Sequence, residues 1–474
     1  MFFSLPRSSL VPLIVSCALF MQIFDGSVIA TSLPVIARSL QTDPLHLSLA
    51  ITSYLFSLAV FTPLSGWVAD RYGARTAFRA AILVFTLSSV LCAGAQNLTQ
   101  LILARLLQGV GGAVMLPVAR LLLLKSVPKN GLVDAMAWLM VPAMIAPVLG
   151  PPVGGFIVTY SSWRWIFLIN LPIGLLGIVM ASLYIENIRE DRVDPLDIRG
   201  FLLMAGALAG LVISFETVGR HVLPLSVVLG SCLAGFFFLA LYAWHARHTK
   251  NLIVDFGLFR LPAFRAAMGG GSLFRIGIGA MPFLLPLMMQ VGFGLSALSS
   301  GLLTFASAIG ALLVKTIAAR ILRSFGFRRV LIFNALIGSI FMILYGFFSP
   351  NTPHKVILAV LLMGGFFHSL QFTALNTFVF SDVPSARMSR ATTLFSMLQQ
   401  LFLSVGVASG ALALNLTLVV RHSDHLTSND FAPGFWCVGL ISFLSVFFFL
   451  PLPSHAGAEM SGHKPLKQEI PDDL

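Results

Sequence analysis

Long, unbroken runs of apolar residues constrain the fold of this chain more than any other feature of its sequence. Fourteen runs are long enough to cross the hydrocarbon core of a bilayer as helices, which takes about 20 residues each. Backbone N–H and C=O groups inside hydrocarbon must be paired within a helix or within a closed barrel. Because the runs are continuous rather than alternating, they exclude a barrel and predict an all-α integral membrane protein.

The limits of the fourteen predicted helices follow from the ends of the apolar runs. The first run is longer than the apolar core of a cleaved signal peptide, so we expect it to remain as a spanning helix. The predicted helices are, in chain order, 10–37, 48–69, 77–95, 98–123, 132–158, 163–185, 200–219, 222–244, 264–291, 297–319, 327–348, 355–380, 391–418 and 431–452.

Composition excludes several classes of protein. Hydrophobic residues make up 57% of the chain and charged residues only 10%, whereas a soluble domain has about 25% charged residues. The net charge of +12 forms no basic stripe on a soluble surface, so we expect no nucleic-acid partner. The four cysteines lie inside apolar runs, where no spacing indicates a zinc site or a disulfide framework.

The distribution of basic residues predicts the orientation in the membrane. With the N-terminus inside, 21 Lys and Arg residues fall on the cytoplasmic side and five on the external side. Cytoplasmic loops of membrane proteins carry such an excess. We therefore predict a multi-pass protein of the bacterial cytoplasmic (inner) membrane with both termini in the cytoplasm.

Loop lengths and a weak internal repeat predict two six-helix halves. Placing the loop at 66–75 on the loop at 319–328 matches Gly73 with Gly326 and Arg75 with Arg328. Parallel repeats of this kind occur in transporters. The predicted domains are an N-terminal half, an inserted hairpin of helices 7 and 8, a C-terminal half and a disordered cytoplasmic tail, at 1–190, 191–250, 251–453 and 454–474.

The loop GWVADRYGAR after predicted helix 2 resembles the loop motif of the major facilitator superfamily. In that family the acid, here Asp70, contacts the second half and steadies one conformation, and the candidate partner is the segment 391–393. A small residue at Gly66 would also let helices approach closely. The residues that match the motif are Gly66, Asp70, Arg71, Gly73 and Arg75.

Further motifs narrow the resemblance to the branch of 14-helix drug:proton antiporters. Predicted helix 1 carries the pattern of that branch around Asp25, and the segment WRWIFLINLPIG at 163–174 is close to a signature of it. Predicted helix 4, RLLQGVGG, resembles the family motif in which an arginine, here Arg105, serves proton coupling. Predicted helix 5 resembles the antiporter motif that the family links to export, with matches at Pro147, Gly150, Pro151, Gly154 and Gly155.

The resemblance implies a major facilitator fold with fourteen helices and an energy source in the proton motive force, without a cofactor. Asp25 is the predicted proton carrier, because burial favours a neutral carboxyl group and a nearby guanidinium favours a charged one. Motion that changes its distance from Arg105 would then switch its affinity for protons. The sequence lacks the phosphate-binding loop of an ATP-driven pump.

Polar residues inside predicted helices 9 and 12 are candidates for substrate binding, since the family's central cavity is lined there. Intramembrane ionisable residues usually face a bundle interior or a water-filled cavity. Arg275 would be a second cation in this cavity, in addition to Arg105. Two cations would favour an anionic or zwitterionic cargo over a cationic one. The predicted substrate-binding residues are Arg275, His368, Gln371 and Asn376.

These features predict a proton-coupled exporter of small amphipathic molecules, as in multidrug efflux, and not an enzyme. An alternative is a proton-coupled exporter of an organic anion or metabolite such as a carboxylate. A membrane sensor that does not transport is a third hypothesis. The expected partners are the substrate, protons and the lipid bilayer, with an accessory export protein as an open possibility.

Labelling of single cysteines tests the predicted topology. A cysteine at Gln96 or Gly292 should react with a membrane-impermeant thiol reagent only from outside the cell, because both lie in predicted external loops. The control is a cysteine at Arg75, in a predicted cytoplasmic loop, which should react only in everted vesicles. Labelling of position 96 from the inside alone would contradict the fourteen-helix arrangement.

Overall fold

The computed structural model describes most of the 474 residues as a helical bundle. The described residues run from Arg7 to 461, except for 127–131, 188, 190–192, 194, 218–223, 250, 251, 253, 385, 386, 424, 454 and 455. No strand occurs within these ranges, so the prediction of an all-α fold is confirmed.

Seventeen helices form the described part of the bundle. In chain order they are α1 Arg7–Ser39, α2 Ser48–Phe61, α3 Leu64–Tyr72, α4 Ala74–Gly94, α5 Leu98–Ser126, α6 Leu132–Tyr160, α7 Trp165–Leu168, α8 Asn170–Tyr184, α9 Ile198–Thr217, α10 Leu225–His248, α11 Pro262–Leu287, α12 Ala297–Tyr345, α13 His354–Phe378, α14 Met388–Arg421, α15 Phe431–Phe443, α16 Val446–Phe449 and α17 Ala458–Ser461. A π-helical turn, Met288–Gly292, follows α11 directly.

The predicted number of fourteen separate spans is not reproduced as a count. Eleven described helices are long and apolar enough to cross a membrane, and twelve if α2 and α3, bent by 58°, form one span. One cause is α12, which runs through two predicted helices and is broken only at Gly326. In α6, Leu132–Tyr160, the stretch Met144–Tyr160 is an apolar helix.

Helix packing separates the bundle into two groups, which we call the first half (α1–α8) and the second half (α11–α16). In the first half α1 packs on α6 and α8, and α5 packs on α2 and α4. In the second half α12 packs on α13, and α11 packs on α14 and α15. The two halves meet mainly where α6 contacts α12 and where α2 contacts α14.

The helices α9 and α10 pack mainly on each other as a hairpin. Close approach is possible because Gly210 and Gly235 face one another, and a Cβ at Gly210 would lie 2.7 Å from the Gly235 nitrogen. The helix α9 also contacts α2 of the first half and α14 of the second, and Tyr242 of α10 donates to the Val254 oxygen at 2.7 Å. The exact limits of the predicted domains stay a prediction.

The two loops of the predicted repeat have the same backbone geometry. Gly73, between α3 and α4, has φ 91° and ψ 141°, and Gly326, within α12, has φ 73° and ψ 162°. The arginine two residues later donates to a carbonyl just after the last helix of its own half in both cases. Arg75 Nη1 lies 3.2 Å from the Ile185 oxygen, and Arg328 Nη2 lies 3.1 Å from the Leu450 oxygen.

Part of the predicted disordered tail is described. Residues 456–461 include the short helix α17, and a Cβ at Gly457 would lie 2.8 Å from the Phe327 ring. This stretch therefore packs against α12. The remaining tail residues, 454, 455 and 462–474, lie outside the described residues.

The left-handed backbone at Gly73 generates a prediction about stability. Gly73→Ala should lower the free energy of unfolding by about 1–2 kcal/mol, because a Cβ is strained at positive φ. That Cβ would also lie 2.3 Å from Asn187 Oδ1. Thermal unfolding of the purified protein in detergent measures the effect.

The matched control is Gly94→Ala at the end of α4, where a Cβ would meet no atom within 4 Å. This control should unfold at the wild-type temperature or slightly above it, since alanine favours helix. Equal unfolding temperatures for both variants would mean that the backbone at Gly73 is not strained by a side chain.

Candidate functional site

A buried carboxylate in the middle of α1 lies at the centre of the polar interior of the first half. Asp25 is 2% exposed. Its Oδ2 atom lies 2.5 Å from Arg105 Nη1 on α5. Its Oδ1 atom accepts hydrogen bonds from Gln108 Nε2 at 3.0 Å and from Asn170 Nδ2 at 2.8 Å. The carboxylate therefore accepts three hydrogen bonds, from α5 and α8.

The guanidinium of Arg105 is fully buried and is held by several groups besides the carboxylate. Arg105 Nη1 lies 2.6 Å from Gln108 Oε1, which is possible because residues three apart lie on one face of a helix. Arg105 Nε donates to the Ala50 carbonyl on α2 at 3.1 Å. The ring of Tyr54 lies 4.3 Å from its central carbon. The charge is thus paired, hydrogen-bonded and stacked on an aromatic ring.

A second layer of polar groups orients the amides that contact Asp25. Ser89 Oγ on α4 accepts from Gln108 Nε2 at 2.8 Å and from Asn170 Nδ2 at 3.2 Å. All three side chains are 0% exposed. We use the name Asp25 cluster for the connected side chains Asp25, Arg105, Gln108, Asn170 and Ser89.

Sequence reasoning identified only part of this cluster. It selected Asp25 and Arg105 as a pair, and the ion pair between them is present in the structure. It missed Asn170 and Ser89. A signal for Asn170 existed, because it is an amide inside the apolar segment 163–174, whereas a serine within an apolar helix carries little information of that kind.

The cluster contains one carboxyl group, which is paired with the guanidinium of Arg105. Removing either partner of a buried ion pair leaves an uncompensated charge, which costs about 3–5 kcal/mol. Neutralising Asp25 would likewise leave the charge of Arg105 uncompensated. The cluster lies between α1, α4, α5 and α8, inside the first half.

A different arrangement surrounds Arg275 on α11. It is 0% exposed, like Arg105. However, its Nε, Nη1 and Nη2 atoms have no hydrogen-bond partner among the residues that the structure describes. Two aromatic rings flank it instead, with Phe395 of α14 at 4.8 Å and Phe372 of α13 at 5.9 Å from its central carbon.

The other predicted substrate residues lie on α13 and face α12. His368 Nε2 lies 3.0 Å from the Gly338 oxygen, and Gln371 Nε2 donates to the Leu331 oxygen at 3.2 Å. These contacts are with the backbone of α12 and hold the two helices together. Asn376 Oδ1 is buried without a hydrogen-bond partner in the described part of the chain. Substrate contact by these residues stays a prediction.

The glycines of the predicted antiporter motif divide between two partners of α6. A Cβ at Gly150 would lie 2.0 Å from Ser27 Oγ, and one at Gly154 would lie 2.7 Å from the Val28 oxygen, so both face α1. A Cβ at Gly155 would lie 2.5 Å from the Ala297 oxygen on α12. The small residues therefore allow close packing within the first half and also against the second half. Pro147 and Pro151 also lie within α6, the first three residues before Gly150 and the second directly after it.

The contacts between the halves lie toward the side predicted to be external. Gly155 meets Ala297 at the start of α12, and a Cβ at Gly301 would lie 2.3 Å from the Pro151 oxygen. Gln290 Nε2, in the π-helical turn, donates to the Thr31 oxygen of α1 at 2.8 Å. The two halves are therefore closed against each other near the ends of α1 and α6 and the beginning of α12.

The loop motif after α2 is only partly explained by the structure. A Cβ at Gly66 would have no atom within 4 Å, so the expected close approach at this glycine is absent in this conformation. Asp70 and Arg71 lie near the end of α3, which packs on α4 and α5. The predicted contact of Asp70 with 391–393 stays a prediction.

No group of three or more His, Cys, Asp or Glu side chains is placed to hold a metal ion in the described ranges. The polar interior is instead made of the Asp25 cluster in one half and the unpartnered Arg275 in the other. These two features are the candidate functional site.

Comparisons with known proteins agree with this architecture. A family model described as Major Facilitator Superfamily matches residues 15–407 and, in a second match, 267–468. A protein of Yersinia enterocolitica named "Putative multidrug resistance protein MdtD" is 35% identical over 449 residues, which cover 94% of this chain and 95% of that protein. A protein of the same name from Klebsiella pneumoniae is 38% identical over 443 residues, covering 93% and 92%.

A solved structure shares the fold at low sequence identity. The crystal structure of a D-xylose–proton symporter has a TM-score of 0.68 and 15% identity, and the match covers 95% of this chain and 99% of that one. This likeness concerns the arrangement of helices alone.

The second layer of the Asp25 cluster can be tested through stability. Asn170→Ala should lower the free energy of unfolding by about 1–3 kcal/mol, since it removes donors to a buried carboxylate and a buried hydroxyl. The measurement is thermal unfolding of the purified protein. The matched control is Asn334→Ala, because Asn334 is 4% exposed and its Nδ2 atom has no hydrogen-bond partner among the described residues.

The control should change the unfolding temperature much less than Asn170→Ala. Equal losses for the two variants would indicate that the volume of a buried asparagine, and not its hydrogen bonds to the cluster, stabilises the protein.

Proposed function

The chain belongs to the major facilitator superfamily, and we propose that it exports small amphipathic molecules in exchange for protons by alternating access. It is a multi-pass membrane protein and a transporter rather than an enzyme. To this, the proposal adds protons as the coupling ion, export as the direction of transport, and the membrane in which the protein acts. We place it in a bacterial cytoplasmic membrane with both termini in the cytoplasm.

The Asp25 cluster is the observation that carries the proposal. A membrane-embedded carboxylate is costly and usually marks an ion pathway or a proton relay. Here the carboxylate accepts three hydrogen bonds, and its partner Arg105 makes two more, to Gln108 and to the Ala50 carbonyl. Such a network compensates a negative charge on Asp25 in this conformation, and a second conformation with fewer donors would compensate it less.

The helix α1 provides a physical connection between the proton site and the contact of the two halves. Asp25 lies six residues before Thr31, which is about 9 Å along a helix. Thr31 accepts the hydrogen bond from Gln290 of the second half, and Ser27, between them, packs on Gly150 of α6. A shift or rotation of α1 on protonation would therefore alter the closed external contacts.

The energy available from protons is sufficient for export against a gradient. One charge that crosses a potential of 100 mV releases about 2.3 kcal/mol, and each pH unit adds about 1.4 kcal/mol. In this scheme no bound cofactor takes part, and the proton motive force supplies the free energy.

The choice of export and of drug-like cargo rests on two kinds of support. The names of the MdtD relatives refer to multidrug resistance. The motif at 147–155 resembles that of exporters, and its glycines lie at the contacts of α6 with α1 and α12. An accessory export protein remains a hypothesis that no contact in the chain addresses.

A second candidate function is export of an organic anion, which the surroundings of Arg275 favour. A sensor that does not transport is the weaker hypothesis, because a receptor would have no need of a complete buried carboxylate–guanidinium pair. The two transport hypotheses share the proton site and differ only in the cargo.

Neutralisation of the proton carrier tests the proposal. Asp25→Asn should reach the membrane in a folded state, because a carrier that becomes neutral in each cycle must tolerate a neutral side chain there. It should lose at least about tenfold of substrate uptake driven by an imposed pH gradient in everted vesicles, since an amide cannot bind and release the proton. A panel of cationic, neutral and anionic compounds supplies the substrates.

The matched control is Glu216→Gln, another replacement of a buried carboxyl by an amide, in α9 of the hairpin. This variant should retain gradient-driven uptake. If Asp25→Asn also retains it in full, Asp25 is not the proton carrier and the coupling mechanism must be abandoned.

A further inference from the structure

We propose that Arg275 is the anchor of an anion-binding subsite between α11, α13 and α14, which takes the carboxylate or phosphate group of a transported molecule. This inference rests on the proposed transport function and adds the charge class of the cargo. The name Arg275 subsite refers below to Arg275, Phe372, Phe395 and Gly271.

The first argument is the contrast between the two fully buried arginines. Arg105 and Arg275 are both 0% exposed. Arg105 contacts a carboxylate, an amide oxygen and a backbone carbonyl, whereas Arg275 has no hydrogen-bond partner within the described residues. A guanidinium without compensation is strongly unfavourable in a membrane interior. Its presence is explained if an anion compensates it during part of the transport cycle.

The second argument is the charge of the surrounding helices. The four helices α11, α12, α13 and α14 contain no Asp or Glu at any position. The side chains of these helices therefore offer Arg275 no acidic partner in any conformation. Among the other cations of these helices, Lys315 of α12 is exposed and donates to Thr373 Oγ1 at 2.6 Å. The field in this half of the protein is positive, which opposes a permanently cationic cargo.

The third argument is the geometry of the guanidinium. The rings of Phe395 and Phe372 lie within 6 Å of its central carbon, as in cation–π contacts. These contacts do not use the N–H groups at the edge of the guanidinium, which have no partner among the described residues. That edge matches the two oxygens of a carboxylate or a phosphate in bidentate fashion.

The guanidinium of Arg275 lies directly against a glycine of the same helix, Gly271. A Cβ at Gly271 would lie 2.7 Å from Arg275 Nη1. Any larger residue at this position would push against the guanidinium edge.

Access to the Arg275 subsite depends on conformation. The guanidinium is sealed in the present state, and α11 and α14 are in tight contact one turn further along, where a Cβ at Gly279 would lie 2.3 Å from the Leu403 oxygen. The ring of Phe395 is on α14, which also packs on α2 of the first half. Movement of the halves during alternating access would shift α14 and open the edge of the guanidinium.

Binding to the purified, full-length protein in phosphatidylcholine nanodiscs tests this proposal without any proton gradient. The probes share one apolar body and differ in charge: 4-phenylbutyrate, 4-phenylbutanamide and 4-phenylbutylammonium, with phenyl phosphate as a second anion. Dissociation constants come from titration of intrinsic tryptophan fluorescence. The wild type should bind an anion at least about tenfold more tightly than the amide or the ammonium probe, as expected for a charge-assisted hydrogen-bonded pair.

Variants locate the preference at Arg275. Arg275→Gln should weaken anion binding by about tenfold or more and leave the affinity for the amide probe unchanged. Arg275→Lys should retain part of the preference, because lysine keeps the charge but lacks the planar, bidentate donors of a guanidinium. Lys315→Gln is the control, since it removes an intramembrane cation that has a partner, and it should leave the preference intact.

Unfolding temperatures without ligand separate a binding role from a structural one. Arg275→Gln should unfold at a higher temperature than the wild type, because an uncompensated buried charge is removed. An arginine that holds the fold together would give the opposite result. A lower unfolding temperature together with unchanged anion preference would overturn the proposal.

The remaining outcomes are also decisive. Equal affinity of the wild type for the anionic and neutral probes would overturn the proposal. So would anion binding that disappears when phosphatidylglycerol replaces phosphatidylcholine, because a lipid headgroup would then be the ligand. If the anion preference is absent, the proposal of proton-driven export still stands for neutral compounds. If the wild type binds anions through Arg275 but shows no gradient-driven uptake, the proposed function alone is contradicted.

Discussion

The ion pair between Asp25 and Arg105 is the interaction on which the first half of the protein depends. Two opposite charges are buried where hydrocarbon would surround them, and each alone would cost several kcal/mol. Their hydrogen bonds connect α1 to α5 and α8, and Ser89 extends the network to α4. The same bonds that hold these helices together also compensate the charge of Asp25, so in our proposal proton binding and helix arrangement change together.

The two halves use buried charge in different ways although they share a backbone pattern. Gly73 and Gly326 have equivalent conformations, and the arginines that follow them make equivalent bonds. The first half, however, contains a compensated pair, while the second half contains the guanidinium of Arg275 without an acid on α11–α14. In our proposal, this asymmetry corresponds to proton coupling in one half and recognition of anionic cargo in the other.

Small residues set the distances between the helices that must move. Gly150 and Gly154 bring α6 against α1, while Gly155 and Gly301 bring α6 and α12 into backbone contact across the two halves. Lipid gives no hydrophobic driving force for helix association, so close van der Waals packing at such residues becomes the main source of attraction. Contacts of this type can separate and re-form without exposing large apolar surfaces to water, which suits a transporter that alternates between two states.

The sequence by itself determined the class of fold, the location of the motifs and the pairing of Asp25 with Arg105. Hydrocarbon forces each apolar run into a helix, and each motif is a local pattern within one helix or loop. Only the tertiary structure decided that Asn170, 145 positions away, donates to Asp25, that Gly66 has no close neighbour, and that Arg275 is buried without a partner among the described residues. It also decided that α12 is broken at Gly326, where the backbone leaves the helical conformation. The physical reason is that contacts between distant side chains depend on how each helix is rotated and packed, and apolar runs that face lipid or protein look alike in sequence.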